Sequence, residues 1–196
     1  MEKLNRTLVV KPAFCIVLAL TLLILTIKWI FAWICASAFH ELCHYGALKL
    51  SGCKVLRIQI DVNGAVMDTD LLTCSQEILC ALTGPLGGLT LLLIARWCPR
   101  VAICACFQSL YNLIPLFPLD GGRVVSCVID KLFSEAKGKK VKIILENTVL
   151  SVFLLLGGYA AFVWKLGMLP VLFAVILIVK NKIVKISCKQ PALGVE

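Results

Sequence analysis

Residues 29–50 read WIFAWICASAFHELCHYGALKL, an apolar run long enough to cross a bilayer that carries two histidines and a glutamate in its second half. At 3.6 residues per turn, His40 and His44 fall one turn apart on the same helix face. Two imidazoles so placed can share one metal ion, and a glutamate beside the first of them is the H-E-x-x-H arrangement. In it the histidines ligate zinc and the glutamate acts as general base toward water. These are the only two histidines of the chain, and Glu41 lies where an ionisable group is costly unless partnered or functional.

Outward from this run the whole chain is apolar. Hydrophobic residues make up 60% of its 196 residues, charged ones 16%, and the mean hydropathy is +0.96, more than a soluble domain of this length can bury. Apolar segments fall near 12–27, 29–50, 76–95, 101–119, 143–163 and 166–180. They predict an all-α polytopic membrane protein of about six transmembrane helices in one domain over 1–196, with a catalytic core over 12–130 and C-terminal helices and a basic tail over 141–196. The first segment follows positive charge as a signal peptide does. No small-residue cleavage site ends it, so it is expected to remain as a span.

Charge sets the expected orientation. With the N-terminus in the cytoplasm, only Lys28, Arg96, Arg100 and Lys165 of the twenty basic residues fall outside, so the positive-inside rule puts both termini of this multi-pass protein of the cell membrane in the cytoplasm. The net charge of +9 comes from short clusters between apolar segments, without a continuous basic stripe interleaved with aromatics. The bilayer is therefore the expected partner and nucleic acid is not. The eleven cysteines, among them Cys15, Cys35, Cys80, Cys104 and Cys106, show no disulfide or zinc-ribbon spacing and read as small packing residues.

Two interruptions shape the map. Between the second and third segments, Val55, Arg57 and Gln59 alternate with Leu56, Ile58 and Ile60 ahead of Asn63-Gly64, which predicts a short β-hairpin; an irregular amphipathic surface loop is the competing reading. Gly84-Pro85-Leu86-Gly87-Gly88 inside the third segment predicts tight packing against another helix. The polar stretch Lys131 to Lys142 is expected to be a cytosolic loop and a flexible connection.

A catalytic zinc needs a third protein ligand and a position left for water. No third histidine exists, which leaves the carboxylates Asp61, Asp68, Asp70, Glu77, Asp120, Asp130, Glu135 and Glu146. Asp120 stands apart: it ends the run YNLIPLFPL over 111–119, after two prolines three residues apart and before Gly121-Gly122. Alone, it reads equally well as a turn aspartate capping a helix that begins at Arg123. Beside the histidine pair it is the candidate third ligand.

HELCH in one span and NLIPLFPLDGG at the end of a later one resemble the paired signatures of the site-2 protease family, intramembrane zinc metalloproteases that cut membrane-embedded substrates. The resemblance extends over roughly residues 12–130, and Gly84-Pro85 resembles a further family element. It implies that His40, His44 and Asp120 bind Zn2+, that Glu41 is the catalytic acid and base, and that Asn112 lies near a cleft for membrane protein substrates. Asn112 as an interhelical hydrogen-bonding residue is the equal alternative. The compact forms without PDZ or CBS domains, which include sporulation-linked processing enzymes, are the most similar. Two other classes fit the same residues: a polytopic transporter using the broken helices at Gly84-Pro85 and Pro115-Pro118, and an inactive family member that binds membrane helices. No visible two-half repeat supports the first, and the intact Glu41 opposes the second. The oligomeric state is not encoded in any of these features.

Overall fold

The computed structural model describes residues 8–10, 26–53, 55–61, 64–163 and 175. The spans expected over 12–27 and 166–180 lie almost wholly outside the described residues. The chain divides into two compact units, Met1–Leu113 and Ile114–Glu196.

In the first unit, strand β1 (Leu8–Val10) precedes helix α1 (Ile27–Leu50), strands β2 (Val55–Asp61) and β3 (Gly64–Thr69), helix α2 (Cys74–Thr90), a 3-10 turn (Leu91–Ile94) and helix α3 (Pro99–Asn112). Helix α1 runs without an internal proline and closes in a Schellman motif. Gly52 takes φ 74, its N–H donates to the Lys49 carbonyl, and the Cys53 N–H reaches back to the Leu48 carbonyl. Thr73 starts α2 with a capping box: its hydroxyl accepts from the Gln76 N–H while the Gln76 side chain accepts from the Thr73 N–H.

Burial in this unit runs opposite to that of a soluble protein. Ala32, Ala36, His40, His44 and Leu48, four residues apart along α1, are buried, as are Cys80, Ala81, Gly84, Pro85 and Gly88 of α2 and Ala102, Ala105 and Ser109 of α3. The large apolar side chains Phe31, Ile34, Leu42, Ile103 and Phe107 face outward. Small and polar residues inside with large apolar ones outside is how helices pack in lipid, where close backbone approach rather than escape from water holds them together. Among the described residues, Cys74–Ile94 and Glu135–Val163 are long and apolar enough to cross a membrane. The chain is mostly helical and suited to a bilayer.

The strands form a three-stranded sheet in the order β1-β2-β3, with β1 parallel to β2 and β2 antiparallel to β3. A register shift between Val55 and Arg57 interrupts the second pairing. Residues 62 and 63, where the turn of a hairpin would fall, are outside the described residues. Cys53, Val55, Met67 and Leu72 pack on a small cluster of Ala47, Leu48 and Cys80, which seats this end of the sheet on α1 and α2.

The second unit holds helices α4 (Asp120–Leu132) and α5 (Glu135–Val163). The stretch from Lys131 to Lys142 is not the loop expected from its polarity: α4 continues to Leu132, α5 begins at Glu135, and only Phe133 and Ser134 separate them. Charge alternation supports helix here. Lys139 Nζ lies 2.8 Å from Glu135 Oε1 one turn before it, and Lys142 Nζ lies 2.7 Å from Asp130 Oδ2 on α4.

Candidate metal centre

His40 and His44 are 3% and 7% exposed, and their Nε2 atoms stand 3.0 Å apart with the rings nearly perpendicular. The partners of the rings decide which nitrogens carry protons. His44 Nδ1 is 2.7 Å from the main-chain carbonyl oxygen of Cys80, which can only accept, so Nδ1 donates and Nε2 keeps its lone pair. Asn112 Nδ2, which can only donate, reaches His40 Nε2 at 3.4 Å. The two Nε2 atoms thus face a common point, His44 Nε2 with its lone pair turned toward it. At this separation a proton or a cation can lie between them. Bonds of about 2.0–2.1 Å at tetrahedral angles put two zinc-bound nitrogens roughly 3.3 Å apart, so the observed spacing fits one ion with little adjustment. A carbonyl on the far nitrogen is the usual orienting partner of a metal-binding histidine.

Helix α2 supplies that partner because it lacks side chains where it meets α1. A Cβ built on Gly84 would collide with the His44 ring, and one on Gly87 with the Cys43 sulfur. On the neighbouring face a Cβ on Gly88 would collide with the Ser109 hydroxyl of α3. Pro85, buried between them, has no N–H to give to the Ala81 carbonyl, and its surroundings are formed by these packed helices. The tight packing expected of GPLGG is thus present, and its consequence is a seat for a histidine ring. Thr83 also donates to the Cys80 carbonyl at 2.7 Å, so this oxygen serves both helices.

On α3 the polar groups follow one another by a turn. Ser37 and Gln108 pair across α1 and α3 at 3.1 Å, and Asn112 meets His40 one turn further along. Asn112 thus makes an interhelical contact at the Nε2 atom of His40. Glu41, half-buried, follows His40 on the same helix.

In the second unit Asp120 is 8% exposed and is the first residue of α4. The N-cap position belongs to Leu119, so the helix begins three residues earlier than the capping alternative requires, and Asp120 is not its cap. A carboxylate in the first turn is favoured by the helix dipole, and Arg123 Nη1 stands 3.9 Å from Asp120 Oδ1. Gly121 and Gly122 are buried behind it. A Cβ on Gly122 would run into the main chain of Leu116 and Phe117, so the loop carrying both prolines folds directly onto the first turn of α4. Two imidazoles and a carboxylate are the donor set a catalytic zinc takes; the first unit offers the imidazoles of His40 and His44, and the second offers the buried carboxylate of Asp120.

Sequence reasoning singled out the candidate ligands His40, His44 and Asp120 but not the Cys80 carbonyl or the Ser37–Gln108 pair. A main-chain oxygen leaves no trace in residue identity. The second pair had only the signal of two polar residues within apolar helices.

The scan against protein-family models found no match. Among curated proteins the chain is similar to a zinc metalloprotease of Methanocaldococcus jannaschii, 26% identical over 132 aligned positions that take in 60% of this chain. The chain spans 39% of that relative's length. Among solved structures it is similar to the site-2 protease from Methanocaldococcus jannaschii, with a TM-score of 0.63 and 20% identity over 93% of this chain and 88% of that one. The chain thus has the fold of that protease and a sequence likeness to a zinc metalloprotease.

Proposed function

We propose that the chain is an intramembrane zinc metalloendopeptidase that hydrolyses peptide bonds in or near the transmembrane segments of membrane protein substrates. The observation that carries this reading is the convergence of the buried His40 and His44 Nε2 atoms, with the His44 ring held by the Cys80 carbonyl. His40, His44 and Asp120 would hold the metal, which when bound polarises the scissile carbonyl and lowers the pKa of water. Glu41 takes the proton of the attacking water and passes it to the leaving amine nitrogen. Asn112, at the end of α3, donates to the main chain of a substrate helix that has unwound, since a peptide bond within an intact helix is shielded by its own hydrogen bonds.

The same proposal covers the topology: six crossings, a β-hairpin inserted between the second and third, both termini in the cytoplasm, and one domain with its core over 12–130 and its C-terminal helices over 141–196. The likeness to a zinc metalloprotease favours this over a transporter or an inactive helix-binding relative.

Co-expression with a single-span membrane protein, scored by product size, tests the activity. Glu41→Gln is expected to abolish cleavage while the purified protein keeps about one zinc per chain. Cleavage by that variant at the wild-type rate would remove Glu41 from the reaction.

A further inference from the structure

We infer that Lys137 and Lys140 bind the phosphate of an anionic phospholipid where α5 enters the bilayer. The inference rests on α5 being a span and is independent of any peptidase activity.

The lysines at the start of α5 look alike in sequence, and the helix sorts them onto two faces. Glu135, Lys139, Lys142 and Glu146 recur at three- and four-residue spacing on one face. There Lys139 is matched by Glu135 at 2.8 Å and Lys142 by Asp130 at 2.7 Å. Lys137 and Lys140 lie on the opposite face, both exposed, with no carboxylate within ion-pair distance among the described residues. Among the described residues nothing compensates these two charges.

That face continues into apolar surface. Ile144, Leu155 and Phe162 lie along it and are 65%, 73% and 87% exposed. At 1.5 Å per residue, Ile144 to Phe162 spans about 27 Å, close to the roughly 30 Å of a hydrocarbon core. Lys140 and Lys137 then stand about 6 Å and 10 Å beyond the apolar edge. The headgroup layer occupies roughly that depth on each side of the core. A lipid seated on this face would have acyl chains against Ile144 and a phosphate between two ammonium groups. Zwitterionic lipid offers the same phosphate but brings its own cation, so an anionic headgroup is selected.

Native mass spectrometry of the detergent-purified full chain, titrated with phosphatidylglycerol or phosphatidylcholine, tests this without any need for turnover. The wild-type chain is expected to retain phosphatidylglycerol in preference. The double variant Lys137→Gln/Lys140→Gln should weaken that retention on the order of tenfold, given the attraction each surface lysine contributes. Lys139→Gln/Lys142→Gln removes equal charge from the other face and should leave the preference unchanged. Equal losses in both variants would mean that only net charge matters, and full retention in the first would remove the site; either overturns the inference. Displacement of the lipid by glycerol 1-phosphate at equal concentration would do the same, because the pair would then be a site for soluble phosphate.

Discussion

His44 donates its Nδ1 proton to the main-chain carbonyl of Cys80 across 2.7 Å, and this one contact decides that Nε2 is the nitrogen of the ring that faces His40. It requires α2 to approach α1 closely enough for a backbone oxygen to meet a side chain, and Gly84 permits that approach.

Gly84→Ala is therefore expected to displace the His44 ring, since the added methyl would occupy the ring's own space. Overpacking of this kind costs about 1–3 kcal/mol. Zinc content of the purified variant should fall by about tenfold or more, the lower range seen when the partner that orients a metal ligand is lost. Zinc bound as tightly as in the wild type would show that the ring slides aside freely.

Cys80→Ala should have little effect on the metal. The group that holds His44 is the carbonyl, which survives the substitution, and the buried sulfur of Cys80 lies 3.8 Å from the His44 carbonyl as a weak donor only. Metal analysis showing a clear loss would make the thiol a participant in the site.

Asp120→Asn keeps the shape of the side chain and removes its charge. On the proposed assignment, zinc retention and cleavage should both fall by at least the ten- to hundredfold that even an orienting partner is worth. An unchanged metal content, measured by atomic emission, would remove Asp120 from the ligand set.

Gly122→Ala tests the loop onto which α4 is folded. The obstacle there is the main chain of Leu116 and Phe117, which cannot swing away as a side chain can. A loss of about 1–3 kcal/mol is expected, read as a lowered midpoint in detergent thermal unfolding. A midpoint equal to that of the wild type would mean that the contact is not maintained.

Much of the plan was legible in the order of residues. Apolar run lengths announce a bilayer protein because the hydrocarbon thickness imposes them, and the four-residue interval between His40 and His44 puts them on one face wherever a helix forms. Polarity misled at Lys131 to Lys142. A charged stretch looks like loop when counted, yet its charges fall at intervals that pair with Glu135 and with Asp130, and the helix forms. Asp120 was one of several possible carboxylates by sequence, and only the start of α4 at Asp120 itself separates it from an ordinary cap.

By itself the sequence determined the chemistry on offer, two imidazoles, a glutamate and carboxylates within an apolar chain, because residue types and helical periodicity are local properties. Tertiary structure decided how the histidines are oriented, which lysines keep their charge unmatched and what the glycines of α2 make room for. Each of these depends on a partner distant along the chain, a main-chain oxygen or a carboxylate one helix away, whose position no local interval records.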